Sequence, residues 1–171
     1  VDEEKCTACG ICVDICPKNI LDLIPRSEKV YLACSSTEPG KVVRKICKVG
    51  CVACGVCVKS CPYGAISMEN NLAIIDYEKC ENCGICVYKC PTSSIVDKLS
   101  ARPRAFIGTN CNGCELCKEV CPTKPVAITG EPGKHHKVDL KICIGCGLCF
   151  EKCPEKAITM AGALGYTQQA A

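Results

Sequence analysis

The chain has 171 residues, a formal net charge of +3 and 22 cysteines. Cysteine is far above its usual share, whereas aromatic side chains that fill a core are scarce, with two Phe, five Tyr and no Trp. This composition excludes an enzyme domain with one large apolar core, and its 48% hydrophobic residues exclude disorder. A small, dispersed charge gives no indication of nucleic-acid binding. We expect no membrane-spanning helix, because no apolar run approaches about 20 residues.

Twenty of the cysteines form five copies of the run C-x-x-C-x-x-C-x-x-x-C-P. The first cysteines of successive runs are 45, 29, 31 and 32 residues apart, which indicates an internal repeat with one insertion. The two remaining cysteines, Cys34 and Cys47, lie in that insertion. The runs contain Cys6, Cys9, Cys12, Cys16; Cys51, Cys54, Cys57, Cys61; Cys80, Cys83, Cys86, Cys90; Cys111, Cys114, Cys117, Cys121; and Cys143, Cys146, Cys149, Cys153.

This run is the signature of bacterial ferredoxins, whose cysteines bind [4Fe-4S] clusters. The first three thiolates of a run wrap one cluster. The fourth is predicted at the start of a short helix, from which it reaches the cluster of a partner run before Pro ends the local structure. All twenty cysteines are therefore predicted ligands of about five clusters. Zinc is the alternative, but a zinc ion needs four ligands and does not explain a third evenly spaced cysteine, and a disulfide scaffold explains the regularity less well.

Spacing also predicts which runs share ligands, because a two-cluster unit has about twenty residues between its runs. On this basis runs two and three pair, and runs four and five pair. The fourth ligand of the Cys6, Cys9 and Cys12 set is Cys47, or Cys61 if runs one and two pair instead. Cys34 and Cys47 are either buried thiols or possible additional cluster ligands, and a disulfide between them is the least expected alternative. The predicted sets are Cys51, Cys54, Cys57 with Cys90; Cys80, Cys83, Cys86 with Cys61; Cys111, Cys114, Cys117 with Cys153; and Cys143, Cys146, Cys149 with Cys121.

Short strands are predicted on both sides of the runs, which gives an α+β fold of tandem ferredoxin-like two-cluster units. The insertion predicts a strand and then a short helix with one apolar side. In chain order, strands are predicted at residues 1–6, 29–34, 65–68, 75–80, 126–129, 138–143 and 157–160, and the helix at residues 41–47.

Five segments follow from this pattern. Residues 1–50 hold the first run and the insertion, and residues 51–97 form a two-cluster unit. Residues 98–110 are a predicted linker, residues 111–160 a second two-cluster unit, and residues 161–171 a tail. Because the chain begins at Val1 without Met, we expect a processed or truncated form.

The residue after the second cysteine is Gly in four runs, as expected for a tight loop close to a cluster. The fourth run has Glu115 there, which predicts a different loop or a different cluster potential. The four glycines are Gly10, Gly55, Gly84 and Gly147.

Three further features have plain interpretations. His135 and His136 stand in a Gly- and Lys-rich turn and are predicted to be solvated. Tyr63, Tyr77 and Tyr88 flank the runs and are expected to shield clusters from water. The densest basic patch is either a solvated helix face or a docking surface for an acidic ferredoxin. It consists of Lys41, Arg44, Lys45 and Lys48.

The first hundred residues show a more specific resemblance. The stretches VYLACSSTEPGKVVRKICKVGCVACGVCVKSCPYGAI and NNLAIIDYEKCENCGICVYKCPTSSI resemble the B subunit of the Rnf complex in its anaerobic bacterial form. The resemblance covers residues 1 to about 97, and the rest resembles ferredoxins at large. In that family a membrane anchor and a separate cluster domain precede this region, and neither is present in this sequence.

The resemblance implies an ion-pumping ferredoxin:NAD⁺ oxidoreductase at the cytoplasmic face of the cell membrane. This chain would accept electrons from reduced ferredoxin and pass them to membrane subunits of the complex. It shows no dinucleotide fingerprint, P-loop or catalytic triad, so we expect no catalytic site of its own. The alternative is a soluble polyferredoxin or a ferredoxin-like subunit of a hydrogenase or other oxidoreductase.

Overall fold

The computed structural model describes residues 1–2, 4–99 and 101–161. The chain forms two compact units, the first built from Val1–Asn82 with Lys89–Lys98 and the second from Cys83–Tyr88 with Leu99–Ala171. Short helices and two-stranded antiparallel sheets make up the described parts of both units. The predicted α+β class is confirmed.

The first unit has two small sheets and three short helices within its described residues. A tight hairpin joins β2 to β3, and Asn70 and Asn71 turn it with φ angles of 45° and 63°. β1 pairs instead with the distant β4, with Tyr31 opposite Val96. The elements are α1 (Ile11–Asp14), β1 (Val30–Leu32), α2 (Gly40–Ile46), α3 (Val56–Ser60), β2 (Ile66–Glu69), β3 (Leu72–Ile75) and β4 (Ile95–Asp97).

The second unit is assembled around one small core. β5 pairs with β8 and β6 pairs with β7. Apolar residues of these strands pack with two cysteines, Cys117 and Cys149, that belong to the predicted ligands. The remaining elements are α4 (Ile85–Lys89), β5 (Arg104–Ile107), α5 (Leu116–Glu119), β6 (Ile128–Thr129), β7 (Lys137–Val138), α6 (Leu148–Lys152) and β8 (Ile158–Ala161).

The strands predicted after the runs form as β2, β6 and β8, and the insertion forms β1 and α2. The strands predicted before the runs are wrong, apart from the first residue of the second and third of them. Residues 1–2 and 4–6 form no strand, β3 ends at Ile75, and β7 ends at Val138. Each of these segments contains an aspartate whose carboxylate accepts a hydrogen bond from the backbone N–H of the second residue after it. This bond turns the chain and ends the extended conformation. These bonds join Asp2 to Glu4, Asp76 to Glu78 and Asp139 to Lys141.

Residues 104–107, which the sequence assigns to a linker, form β5. Arg104 lies opposite Ala161 and Ile107 opposite Ile158, so the strand depends on a partner about fifty residues away. Local patterning could not reveal that partner. Among the described residues no helix is long and apolar enough to cross a membrane.

Candidate cluster-binding sites

The five cysteine runs share one backbone loop. In each run the residue before the second cysteine and the residue after it have left-handed φ angles, between 50° and 83°. Glu115 adopts this conformation with φ 64°, so the expectation of a different loop in run four is wrong for its backbone. The residues are Ala8 and Gly10, Ala53 and Gly55, Asn82 and Gly84, Gly113 and Glu115, and Gly145 and Gly147.

Each loop leads into a short helix that contains the third cysteine. The fourth cysteine follows the helix, as Cys61 follows α3 and Cys153 follows α6. The prediction that the fourth cysteine begins a helix is therefore wrong: the helix lies between the third and fourth cysteines. Its four or five residues separate the fourth thiol from the first three.

In the first unit, Cys51, Cys54 and Cys57 of run two line one cavity together with Cys90 of run three. Apolar side chains complete its wall. These four cysteines are one of the sets that the spacing predicts. The apolar part of the wall includes Leu32, Met68, Ala73 and Ile95.

The second unit has two such cavities. Cys111, Cys114, Cys117 and Cys153 line one of them. Cys143, Cys146, Cys149 and Cys121 line the other. Each cavity is thus lined by three cysteines of one run and the fourth cysteine of the other, which is the grouping that the spacing predicts; that these cysteines share clusters in this way stays a prediction.

Besides Cys90, run three contributes Cys80 to the first unit. Burial raises the pKa of this thiol, and the charges of Glu28 and Cys61 add to the effect. The charge of Cys61 acts on Cys80, so these two thiols lie near each other. The fourth ligands of the run-three and run-one sets stay predictions.

The first run is more open than the others. Cys6, Cys9 and Cys12 are exposed and Cys16 is partly exposed. Backbone N–H groups of Ile20 and Lys18 lower the pKa of the Cys16 thiol. In the insertion, Cys47 is exposed, whereas the sulfur of Cys34 accepts a hydrogen bond from the N–H of Cys51 at 3.3 Å.

Backbone N–H groups point at the fourth cysteines. Ala65 donates to Cys61 Sγ at 3.4 Å, and Ala157 donates to Cys153 Sγ at 3.3 Å. Burial opposes ionisation of Cys90, but N–H groups of Ile95 and its neighbours outweigh burial and lower its pKa. Such bonds stabilise a thiolate and therefore prepare the sulfur to bind iron.

Run four uses a hydroxyl in place of that N–H group. Thr123 Oγ1 accepts the N–H of Ala127 at 3.0 Å and lies 3.2 Å from Cys121 Sγ. Since its oxygen already accepts a hydrogen bond, its hydrogen is available to the sulfur. Thr123 is only 2% exposed, so water does not compete for this bond.

Deep burial disfavours the thiolate form of two cysteines in the second unit. Burial, with the charges of neighbouring cysteines, raises the pKa of Cys149 to about 12. Burial raises the pKa of Cys146 to about 11, and the charges of Cys121 and Cys143 contribute. Four thiolates around one cavity repel one another, and bound cations remove that repulsion.

The donor set fits a [4Fe-4S] cluster. Each of the three cavities is lined by four thiols, one for each iron of a [4Fe-4S] cluster. The rest of each wall is mainly apolar. Within the described residues, no three His, Cys, Asp or Glu side chains converge closely enough to hold a single metal ion. The thiols surround a space instead of meeting at a point.

Two neighbouring residues differ from their sequence interpretation. His136 is not solvated: it is fully buried, and its Nδ1 lies 3.9 Å from Cys111 Sγ. His135 is exposed as predicted. Tyr88 is 43% exposed, and its hydroxyl accepts the N–H of Lys124 at 3.3 Å, so it shields little. Tyr77 is half-buried, and burial beside Cys80 raises its pKa to about 12.

Comparison with protein families agrees with this donor set. Models described as 4Fe-4S dicluster domains match residues 5–65 and 50–94, together more than half of the chain, and residues 79–126. A model described as a 4Fe-4S binding domain matches residues 136–159.

Three curated relatives are the B subunits of ion-translocating complexes. The one from the Na⁺-translocating ferredoxin:NAD⁺ oxidoreductase complex of Acetobacterium woodii is 54% identical over 80 residues, 47% of this chain and 24% of the relative. The one from the ion-translocating oxidoreductase complex of Methanosarcina acetivorans is 46% identical over 80 residues, 47% of this chain and 30% of the relative. The one from the proton-translocating ferredoxin:NAD⁺ oxidoreductase complex of Clostridium ljungdahlii is 54% identical over 63 residues, 37% of this chain and 22% of the relative.

The predicted resemblance to the B subunit of the Rnf complex is thereby confirmed for about half of the chain, and the matched region spans about a quarter of the relatives' length. Among solved structures, a chain of the formate dehydrogenase, heterodisulfide reductase and formylmethanofuran dehydrogenase complex of Methanospirillum hungatei is 24% identical. That match covers 65% of this chain and 52% of the other, with a TM-score of 0.27, too low to support an argument.

Proposed function

This chain belongs to the family of 4Fe-4S dicluster domains, and we propose on that premise that it relays electrons through about five [4Fe-4S] clusters. The observation that supports the proposal most strongly is the set of three cavities, each lined by three cysteines of one run and the fourth cysteine of another. Such exchange places two sites in one small packed unit, as a relay requires.

Each cluster, when bound, takes up and releases one electron without making or breaking covalent bonds. The residues of this chain hold and insulate it. Thiolates bind the irons, N–H groups and the Thr123 hydroxyl stabilise negative charge on sulfur, and apolar walls exclude water. We assign no bond-making chemistry to the chain itself.

We assign the ligands as follows. Cys51, Cys54, Cys57 and Cys90 hold one cluster; Cys80, Cys83, Cys86 and Cys61 a second; Cys111, Cys114, Cys117 and Cys153 a third; Cys143, Cys146, Cys149 and Cys121 a fourth; and Cys6, Cys9 and Cys12, with Cys47, a fifth.

The crossed ligand assignment is tested by removing one fourth cysteine from the full chain. In Cys121→Ser, the cluster of run five should be weakened and Cys143, Cys146 and Cys149 should become reactive to alkylation. Cys34→Ser is the control, because Cys34 lies outside the four-cysteine sets. Mass spectrometry locates the alkylated thiols. Reactivity confined to Cys111, Cys114 and Cys117 would show that run four keeps its own fourth cysteine.

We propose further that the chain is the electron-input part of an Rnf-type complex, taking electrons from reduced ferredoxin and passing them to other subunits. The names and identities of the curated relatives support this role. It would place the chain at the cytoplasmic face of the membrane, attached through a preceding region or through partner subunits. Co-purification with membrane subunits tests it; a native protein without membrane partners would instead be a polyferredoxin or a subunit of another oxidoreductase.

A basic patch on α2 and immediately after it supports an acidic ferredoxin as donor. Lys41, Arg44, Lys45 and Lys48 are all exposed, and none has an ion-pair partner among the described residues. α2 borders the run-two loop, because a Cβ added at its first residue, Gly40, would lie 2.1 Å from the carbonyl oxygen of Val52. A partner attracted to this basic face would therefore dock next to the cluster of Cys51, Cys54 and Cys57.

Docking is tested by the rate at which a reduced acidic ferredoxin transfers electrons to the chain. The double variant Arg44→Glu, Lys45→Glu should slow this rate about tenfold at low salt, and the difference should shrink as salt screens the charges. The control variant Lys137→Glu, Lys141→Glu makes the same charge change on exposed residues of the second unit. Equal slowing in both variants would exclude α2 as the docking face.

A further inference from the structure

His136 occupies an unusual place in the second unit. It is the largest polar side chain among the fully buried residues, with 0% exposure. It lines the cavity of Cys111, Cys114, Cys117 and Cys153, and its Nδ1 lies 3.9 Å from Cys111 Sγ. A buried imidazole that contacts a predicted ligand can act on that ligand directly.

The fold holds the imidazole ring in position. His136 immediately precedes β7, whose pairing with β6 fixes the backbone. Gly130, which follows β6, has its Cα against the ring: a Cβ added there would lie 2.1 Å from His136 Cδ2. Because residue 130 is glycine, no side chain fills this space, and the His136 ring fits closely between the end of β6 and Cys111.

The chemistry of the contact selects one donor. An iron-bound thiolate can only accept a hydrogen bond, so the proton must be on Nδ1 of the imidazole. Nε2 is buried and has no hydrogen-bond partner among the described residues. In a neutral ring Nε2 then bears a lone pair, which is less costly to bury without a partner than an N–H⁺ group.

The other cavity of this unit has a different wall. Around Cys121, Cys143, Cys146 and Cys149 the non-cysteine lining is apolar except for Thr123, and it contains no imidazole. The two sites are therefore electrostatically unequal, although the runs that form them are alike. A donor to a ligand sulfur stabilises the reduced, more negative state of a cluster and raises its potential.

We propose that His136 is a positioning residue that donates a hydrogen bond from Nδ1 to the Cys111 thiolate and raises the potential of the cluster at Cys111, Cys114, Cys117 and Cys153. The inference rests on the proposed function, because it requires that this site holds a cluster.

The test uses the full cluster-loaded chain, and its first readout is spectroscopic. The sequence has only two histidines, so labelling histidine with ¹⁵N labels only these two side chains. Pulsed EPR of the reduced protein should show an imidazole nitrogen coupled to one cluster. The coupling should vanish in His136→Leu and persist in His135→Leu, the control at the exposed neighbour. Absence of coupling in the wild-type protein would overturn the inference without any variant.

The second readout is the midpoint potential of each cluster. His136→Leu should lower one potential, with about a tenfold loss in the equilibrium constant for reduction, which is 59 mV for a one-electron couple. His136→Asn should restore most of the lost potential. The amide nitrogen of asparagine is bonded to Cγ, as Nδ1 of histidine is, so it can donate to the sulfur from a similar position. His135→Leu should change nothing.

The outcomes separate the two proposals. A chain without iron and sulfide would contradict the proposed function itself. A fully loaded His136→Leu protein with all potentials unchanged would overturn only the role of His136. If His136→Leu does not fold, the nitrogen coupling of the wild-type protein decides. With that coupling, a His136→Asn protein whose cluster potentials equal those of the wild type supports the inference. Without that coupling, the inference fails.

Discussion

Glu28 is a buried acid beside a predicted ligand. It is 9% exposed, its Oε2 accepts a hydrogen bond from the side chain of Asn82 at 2.9 Å, and its charge raises the pKa of Cys80. A negative charge at this position would oppose reduction of the cluster that we propose Cys80 binds. We therefore expect Glu28 and His136 to act in opposite directions on different sites.

From this we predict that Glu28→Gln raises the potential of one cluster, by about a tenfold gain in its reduction equilibrium, or ~59 mV. The amide keeps an oxygen that accepts the bond from Asn82, so the change is mainly one of charge. A redox titration followed by EPR measures it. Glu69→Gln, at an exposed position, is the control, and an equal shift in both variants would contradict a local effect.

Thr123 gives a second prediction at this scale. Thr123→Val keeps the shape of the side chain but removes the acceptor for the N–H of Ala127 and the donor for the sulfur of Cys121. The free energy of unfolding should fall by about 1–3 kcal/mol. We expect cluster loss on heating to become roughly tenfold faster, as measured by the decay of visible absorbance. Thr129→Val, at an exposed strand position, should lose its clusters at the wild-type rate.

Among the secondary-structure elements, α2 depends most on one small residue. A side chain at Gly40 would overlap the Val52 carbonyl, and Val43 of the same helix is 1% exposed. The helix therefore lies directly on the run-two loop. Its position supports both that loop and the basic face that we propose for docking.

Gly40→Ala should force α2 away from the loop, at a cost of about 1–3 kcal/mol in stability. The cluster of Cys51, Cys54 and Cys57 should be lost first, because its loop contacts the helix. Cluster loss resolved by EPR during heating measures this order. Lys41→Ala, exposed on the same helix, is the matched control; uniform loss of all clusters in Gly40→Ala would contradict the local explanation.

At the scale of the whole molecule, we expect the proposed clusters to take the place of a large core. The apolar core of the second unit consists of Ala105, Ile128, Ile158 and Met160 with two cysteines. Such a core is too small to offset the conformational entropy of its chain. Metal binding in small domains supplies much of the folding free energy.

We therefore predict that removal of iron abolishes the fold. Chelation under reducing conditions should collapse the far-UV circular dichroism signal together with the visible absorbance of the clusters. A metal-free chain that retains native dichroism would show that the protein core suffices without the metal.

The proposed clusters would also change the net charge. The chain is +3 at pH 7 with neutral thiols, whereas an oxidised cluster with four thiolates contributes about −2, so five clusters would bring the protein near −7. Native electrophoresis should show the loaded protein migrating as an anion and the metal-free chain as a weak cation. Migration of the loaded protein as a cation would indicate far fewer clusters.

Local patterns in the amino-acid sequence determined the [4Fe-4S] family of the chain, the grouping of cysteines from runs four and five around shared cavities, and the elements nearest the runs, such as α2 and the β2–β3 hairpin. These depend on residues close together, where spacing, turn residues and apolar periodicity act directly. Tertiary structure alone decided that residues 104–107 become β5, since their partner β8 is distant in sequence. It also decided that His136 is buried against Cys111 while His135 is exposed, because strand pairing and the space left by Gly130 determine which ring faces the cavity.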